Sequence, residues 1–412
     1  MNTKGLSTDP YKGVRDFYPE DMAIERYIFD IWSQTAESFG YERYDASILE
    51  PSALYRSKGA ENEEMVNEQT YTFIDRGNRE VTLRPEMTPT VARMIAGRRR
   101  DLNFPVRWYS IPNLFRYERP QRGRLREHYQ LNCDIFGAEH FSADVEIIAL
   151  ASAMLLNFGA APKMFEIRVN DRAWLNEIFK NEGLDEEQSK AMLVLLDKKD
   201  KIDNFDEEAK KIAGKRFALP KDIDERSNLA KVINGLRKLG IENVIVSPST
   251  VRGFAYYTGT IFEIFDVSGE NNRSMLGGGR YANLTTLFGG EPIVGIGFGM
   301  GDVTMRDFLD THGLLTSNIT APTLMILPTD VELNMEGQKV AQAFRTAGIS
   351  VAVDVSTKKV GRKITDAAEA FVTYALVLGP DEAKSKKYIM KNLEEKSEQT
   401  GTVAELVAKL NN

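Results

Sequence analysis

A chain of 412 residues, 42% hydrophobic and 27% charged, has the composition of an ordinary soluble globular protein and is long enough for two or three domains with cores of their own. Its single cysteine, Cys133, excludes an intrachain disulfide and a cysteine-rich zinc site, and its three histidines (His128, His140, His312) are too scattered for a zinc-protease pattern. A net charge of −7 argues against indiscriminate nucleic-acid binding, although a local basic patch on an acidic body still binds phosphate.

The first twenty-one residues lack the apolar centre of a signal peptide, and no 18-residue apolar run occurs anywhere, so a cytoplasmic protein without a membrane span is expected. Residues 19–39 predict a helix. Pro19 suits its first turn, Glu20 and Asp21 follow, Ile24, Tyr27, Ile28, Ile31 and Trp32 recur at helical spacing, and Gly40 ends the run. Residues 41–50 read as extended. Residues 71–75 and 80–83 read as a strand pair turned at Arg76-Gly77-Asn78, leading into Leu83-Arg84-Pro85-Glu86-Met87-Thr88 and a helix from about Pro89. That helix ends in Arg98-Arg99-Arg100, a solvated terminus where cations are favoured.

Residues 115–134, FRYERPQRGRLREHYQLNCD, hold Arg116, Arg119, Arg122, Arg124 and Arg126 within eleven positions. Alternation predicts two strands, one placing Arg116 and Glu118 on a common face and the other placing Gln130, Asn132 and Asp134 together. Pro120 to Arg124 make a turn-rich tip between them. A hairpin with an ionic face and an arginine-rich tip suits a polyanion, because the guanidinium fork grips phosphate or carboxylate oxygens in pairs.

A helix is predicted over 143–158, with Val145, Ile148, Ala149, Leu155 and Leu156 on one face, and a strand over 163–169. From about 170 to 247 the chain is charged, helix-forming and poor in glycine, which reads as a small helical insertion followed by an amphipathic helix ending at Gly240. Val251 to Phe265 then reads VRGFAYYTGTIFEIF. Leu276 to Tyr281 forms a glycine-rich loop, and Gly295 to Gly301 leads into a helix without a Walker or Rossmann fingerprint. Beyond a linker at 311–321 the pattern alternates strand and helix: strands at 324–327, 349–355 and 374–378, and helices at 332–347 and around Lys358, Lys359, Arg362 and Lys363. This predicts a small α/β domain with a parallel sheet.

The arginine-rich hairpin resembles motif 2 of the class II aminoacyl-tRNA synthetases. Its RPQ-x-GR run, the Arg-Pro-Glu-x-Thr at 84–88 and the VRGFAYYTGT peptide resemble the histidyl-tRNA synthetases more narrowly, in the expected order along almost the whole chain. The resemblance implies an α+β fold: a catalytic core built on an antiparallel sheet (1–169 and 248–318), a helical insertion with its connecting helix (170–247) and an α/β anticodon-binding domain (319–412). It implies a ligase that joins histidine to tRNA(His) with ATP, as a homodimer whose interface is built by the first helix and the following strand, where Ser47 takes the place of the usual proline. By position, Arg116 and Arg252 would be catalytic, gripping the α-phosphate, with Arg252 also holding the amino acid carboxylate. Glu86, Met87, Thr88, Gln130, Asp134, Tyr256 and Tyr257 would hold histidine, with Asp134 and Tyr257 reading the imidazole. Glu118, Arg124 and His128 would join Arg116 on ATP, with His128 stacking on adenine. Gln121 and Arg126 would face the tRNA acceptor end. Magnesium would enter with ATP, with no ligand set visible in the chain. The positions of the usual motif 3 Glu-Arg pair read Val303-Thr304, which leaves the γ-phosphate contact open, and Arg306 would point elsewhere. The alternatives are a non-catalytic regulatory subunit of histidine biosynthesis, whose relatives lack the C-terminal domain, and a class II synthetase for another amino acid.

Overall fold

The computed structural model describes residues 5–56, 69–199, 202–219, 223–251, 256–271, 273–316 and 321–410. The chain divides into two compact units, Met1–Thr316 and Ser317–Asn412. The strands of the first unit are β1 (Glu42–Arg43), β2 (Leu49–Pro51), β3 (Tyr71–Ile74), β4 (Glu80–Leu83), β5 (Val106–Ser110), β6 (Asn113–Phe115), β7 (Glu127–Phe136), β8 (Phe165–Asp171), β9 (Val244–Val246), β10 (Thr260–Asp266), β11 (Ser274–Tyr281) and β12 (Gly295–Gly301). Nine of them form one sheet in the order β1-β5-β7-β12-β11-β10-β8-β9, with β6 paired to the start of β7. The inner run from β5 to β8 is antiparallel throughout. A separate sheet holds β2-β4-β3.

One face of the large sheet is closed by the helices Pro19–Ser38, Ser142–Asn157, Asn228–Lys238 and Asp302–Thr311, whose Trp32, Leu150, Leu236 and Phe308 are all buried in the core that holds Leu131, Cys133, Ile135, Ile296 and Met300 of β7 and β12. The 143–158 helix is not one-sided as its spacing suggests. It is buried around most of its circumference, while Leu156 is exposed, because the sheet and two neighbouring helices enclose it. The helices Arg172–Asn181, Glu186–Asp197 and Phe205–Ala213 gather a small core of their own, including Leu175, Phe179, Met192 and Leu196.

Two further expectations change. The 41–50 segment is not one strand: β1 joins the large sheet beside β5, and β2 joins the small sheet beside β4, with an irregular stretch between them. Leu276 to Tyr281 is not a loop but the body of β11, paired on both sides.

In the second unit, β13 (Leu324–Pro328), β14 (Val351–Val353) and β15 (Tyr374–Leu378) pair in parallel as predicted, joined by the helices Asn334–Thr346 and Val360–Glu369. An unpredicted antiparallel hairpin, β16 (Tyr388–Asn392) and β17 (Glu398–Gly401), extends the sheet beyond β15.

Candidate active site

The site grows out of the pairing of β7 with β12, in which Asp134 lies opposite Gly297 and Asn132 opposite Gly299. Strand side chains alternate between faces. Leu131, Cys133 and Ile135 therefore enter the core, while Gln130, Asn132 and Asp134 line a recess of about 80 Å³ on the open face. The floor beside them is bare backbone, and it has to be. A Cβ at Gly297 would lie 2.0 Å from Asp134 Oδ1 and 2.7 Å from the Cys133 carbonyl oxygen, and one at Gly299 would lie 2.8 Å from Gln130 Cδ. Glycine inside a strand ordinarily weakens it; here it leaves room for polar side chains and a ligand above the sheet.

Glu86, Thr88, Tyr256, Tyr257 and Tyr281 wall the recess. Thr88 stands at the start of the helix Thr88–Gly97, whose second position is proline, so the loop before it is held in a fixed entry. Buried Arg84 anchors that loop by donating to the Ala46 carbonyl at 2.7 Å and the Asn113 carbonyl at 3.0 Å. Tyr281 donates to Asp134 Oδ1 at 2.5 Å, and Tyr256 donates to Glu86 Oε2 at 3.3 Å. The Tyr256 and Tyr257 rings lie 4.8 Å apart, and Tyr281 meets Tyr256 edge-on at 5.9 Å. Burial pushes the Asp134 carboxyl up to about 7, and the Tyr281 hydrogen bond draws it partly back. The recess thus presents two carboxylates, two amides and three phenols, a set suited to a small molecule carrying an ammonium and a second N–H donor.

Arg116, Gln130, Gly277 and Gly299 are shared with a larger cleft of about 1360 Å³. Arg116 holds its place by donating Nε–H to the Pro85 carbonyl at 2.8 Å. Arg124 forks onto Glu118, Nη2 to Oε1 at 2.5 Å. His128 lines the same cleft. Burial, then the charges of Arg116, Arg15 and Arg124, press its pKa down to about 3, so it is a neutral aromatic ring at any physiological pH. The end of β12 is tied back to β7 through Asp302, which accepts from the Tyr129 backbone N–H at 3.0 Å and from Arg15 Nη2 at 2.5 Å. The Thr304 hydroxyl is spent on the carbonyls of Gly301 and Met275, each at 3.1 Å. Arg306 does point elsewhere, to Asp21 at 3.0 Å.

Most of the sequence-predicted residues converge. Glu86, Thr88, Gln130, Asp134, Tyr256 and Tyr257 line the recess, Glu118, Arg124 and His128 line the cleft, and Arg116 touches both. Arg252 lies outside the described residues. Met87 sits between two site residues, but its own side chain is fully buried and does not line the recess. The strand predicted through Arg116 and Glu118 stops at Phe115, because Glu118 N–H bonds back to the Arg116 carbonyl at 2.8 Å and turns the chain; both side chains still reach the cleft. Arg126 is not on the open side. Its guanidinium is packed 4.0 Å from the Tyr117 ring centre and donates to Tyr11 Oη at 3.0 Å, which makes it a brace for the N-terminal segment. Gln121 is exposed at the loop tip, where its backbone pairs with Arg124, and lies outside recess and cleft. The period of two placed Asn132 on the same face as Gln130 and Asp134, though without a role of its own, and Tyr281 and Gly297 had none; nothing local marks Tyr281 as the partner of Asp134, 147 residues away.

A family profile described as "Histidyl-tRNA synthetase" matches residues 13–219 and 167–302, and one described as "Anticodon binding domain" matches 323–412. The histidine–tRNA ligase of Leptospira biflexa is 41% identical, with 100% of this chain and 99% of the relative covered, and that of Thermoplasma volcanium is 36% identical, with 98% of each covered. The crystal structure of histidyl-tRNA synthetase from Nostoc sp. PCC 7120 shares the fold over 99% of both chains, with a TM-score of 0.80 at 23% identity. A structure described as an ATP phosphoribosyltransferase regulatory subunit/histidyl-tRNA synthetase from Bacillus halodurans shares it over 91% of this chain, with a TM-score of 0.69 at 21% identity. With the family profile spanning most of the first unit and full-length relatives well above 30% identity, the chain belongs to the histidyl-tRNA synthetase family.

Proposed function

We propose that the recess holds L-histidine and the adjoining cleft holds ATP, so that the carboxylate of one meets the α-phosphorus of the other beside Arg116. As a member of its family the chain is a histidine–tRNA ligase that uses ATP and acts on tRNA. A carboxylate oxygen of histidine forms a bond to the α-phosphorus while the bond to the departing pyrophosphate breaks. A hydroxyl of the terminal adenosine of tRNA then attacks the carbonyl carbon, and AMP leaves. Neither step needs an enzyme nucleophile; the protein supplies position and charge. Glu86, Thr88 and Gln130 take the α-amino group, Asp134 accepts the imidazole N–H, and Tyr257 packs beside the ring. Arg116 grips the α-phosphate, and Arg252 joins it by resemblance. Arg124 moves to an outer phosphate, and His128 offers its neutral ring to adenine. Gln121, at the exposed tip of the arginine loop, faces the acceptor end.

The observation that carries this reading is the buried, glycine-floored pairing of Asp134 with Tyr281, opening directly onto the arginine-lined cleft. Magnesium enters as the counter-ion of ATP. As is usual for magnesium brought with a nucleotide, the phosphates and water would supply most of its ligands. The protein works as a homodimer, a reading supported by the exposed apolar Ile48, Leu49, Phe73 and Ile74 on or beside the small sheet. It works in the cytoplasm; among the described residues no helix is long and apolar enough to cross a membrane. The fold likeness to the Bacillus halodurans protein does not separate ligase from regulatory subunit. The full-length identity to ligases and the match of residues 323–412 to an anticodon-binding domain favour the ligase. Pyrophosphate exchange into ATP, measured with each amino acid in turn, tests it. Exchange is expected with histidine alone, and a folded sample with magnesium that shows none would sink the reading.

A further inference from the structure

The motif 3 position that usually bears an arginine is Thr304, whose hydroxyl is committed to two carbonyls, and Arg306 is committed to Asp21. The cleft nevertheless carries another cation at this place. Gly123 of the arginine loop, Thr304 and Arg273 converge: a Cβ built on Gly123 would lie 3.5 Å from Arg273 Cδ and 3.7 Å from Thr304 Cγ2. Arg273, Thr304, Gly123 and Arg124 all line the same cleft.

The turn that presents Arg273 is anchored. Its backbone N–H donates to Asn271 Oδ1 at 3.0 Å, and Asn271 Nδ2 donates to Asp307 Oδ2 at 2.8 Å. Asp307 also accepts from Arg122 at 2.8 Å, so the arginine loop and this turn share one carboxylate. Three other arginines nearby are paired with carboxylates inside the protein: Arg122 with Asp307, Arg124 with Glu118 and Arg168 with Glu166. Among the described residues no carboxylate pairs with the guanidinium of Arg273. A half-buried guanidinium beside a motif 2 loop, with no internal counter-charge, is set up for an anion brought by a ligand.

Resting on the ATP site of the ligase reading, we propose that Arg273 binds the outer phosphates of ATP and supplies the charge that Thr304 lacks. Because the α-phosphate is held by other groups, the contribution of Arg273 distinguishes ATP from AMP. Equilibrium binding of ATP with magnesium, and of AMP, is measured by calorimetry on wild type, Arg273→Ala and Arg273→Gln. This needs no turnover, so the result stands whether or not histidine-dependent exchange is observed. ATP affinity is expected to fall about 10- to 100-fold in both variants, the range for a charge-assisted hydrogen bond, with AMP affinity unchanged within about twofold. Thr304→Arg in the Arg273→Gln background is expected to recover ATP affinity. ATP binding within twofold of wild type in a folded variant, or equal losses for ATP and AMP, would overturn the assignment.

Discussion

The recess and the cleft meet at Arg116 and Gln130, but they are built on different physics. In the recess the recognising groups are short side chains on adjacent strands, fixed by the sheet and by tyrosines, with bare backbone as the floor. In the cleft they are long cations on loops, several already engaged in internal ion pairs. A ligand entering the recess finds its partners placed beforehand. On the proposed reading a nucleotide entering the cleft would draw Arg124 away from Glu118, exchanging one charge pair for another, so that only part of the gross attraction would appear as affinity. Selectivity is therefore expected to reside in the recess and adaptability in the cleft.

The hardest test of this contrast is the glycine floor. Gly297→Ala would drive a methyl group into Asp134 and the Cys133 carbonyl, neither of which can withdraw, whereas at Gly299 the obstacle is the end of the Gln130 side chain. The histidine specificity constant is expected to fall about 10²-fold or more for Gly297→Ala, as for reacting groups misplaced by an ångström, and clearly less for Gly299→Ala. Equal losses in steady-state exchange would mean that the floor is not what shapes the recess.

Asp134→Asn sharpens the same point. Loss of a charged acceptor should lower the specificity constant for histidine roughly 10- to 150-fold while the KM for ATP changes far less. Stability should move the other way. The folded carboxyl titrates near 7, above its unfolded value, so the empty fold has its full stability below the unfolded value and loses it as pH rises toward 7. Above that, an ionised carboxylate sits buried without a counter-charge. Asp134→Asn is therefore expected to melt higher than wild type at pH 8, by roughly 1–3 kcal/mol, with the difference vanishing near pH 4. Thermal melts without ligand at both pH values measure it, and a variant less stable at pH 8 would contradict the buried-charge account.

The smallest effect belongs to the cleft. His128 is neutral, so on the proposed reading it would offer ATP a ring face rather than a charge. His128→Phe should keep the KM for ATP near wild type, and His128→Ala should raise it about fivefold or more, the lower end for loss of one stacking partner. A KM for ATP in wild type that tracks protonation between pH 5 and 8 and flattens in His128→Phe would show that a charged histidine operates instead.

What the sequence displayed of all this divides along physical lines. The alternation of Gln130 and Asp134 was readable because a strand's period of two is local. The glycines of β11 read as a loop because glycine disfavours strands on average; the Cβ of Gly278 would strike the Gly297 carbonyl, and only the close approach of β12 explains its presence. Arg126 was indistinguishable from the four other arginines of its loop, since one of the two tyrosines that hold it, Tyr11, lies 115 residues away. The helices of the small α/β unit were visible from spacing, whereas the β16–β17 hairpin is short: β16 sends only Tyr388 and Met390 into the core and β17 is polar, which leaves too brief a period to read.

Cys133 gives the central strand a reporter of its own. It is the chain's only thiol, fully buried on the core side of β7 one residue from Asp134, and burial pushes its pKa well above the ordinary value. A thiolate-seeking reagent reaches it only when the sheet opens, so alkylation under native conditions counts openings rather than surface encounters. If the recess holds histidine as proposed, its binding on the opposite face of the same strand would slow that clock by the factor with which it favours the closed sheet. Inactivation by such a reagent would thus time the breathing of the catalytic sheet, and it would be mistaken for evidence of a reactive cysteine in the chemistry.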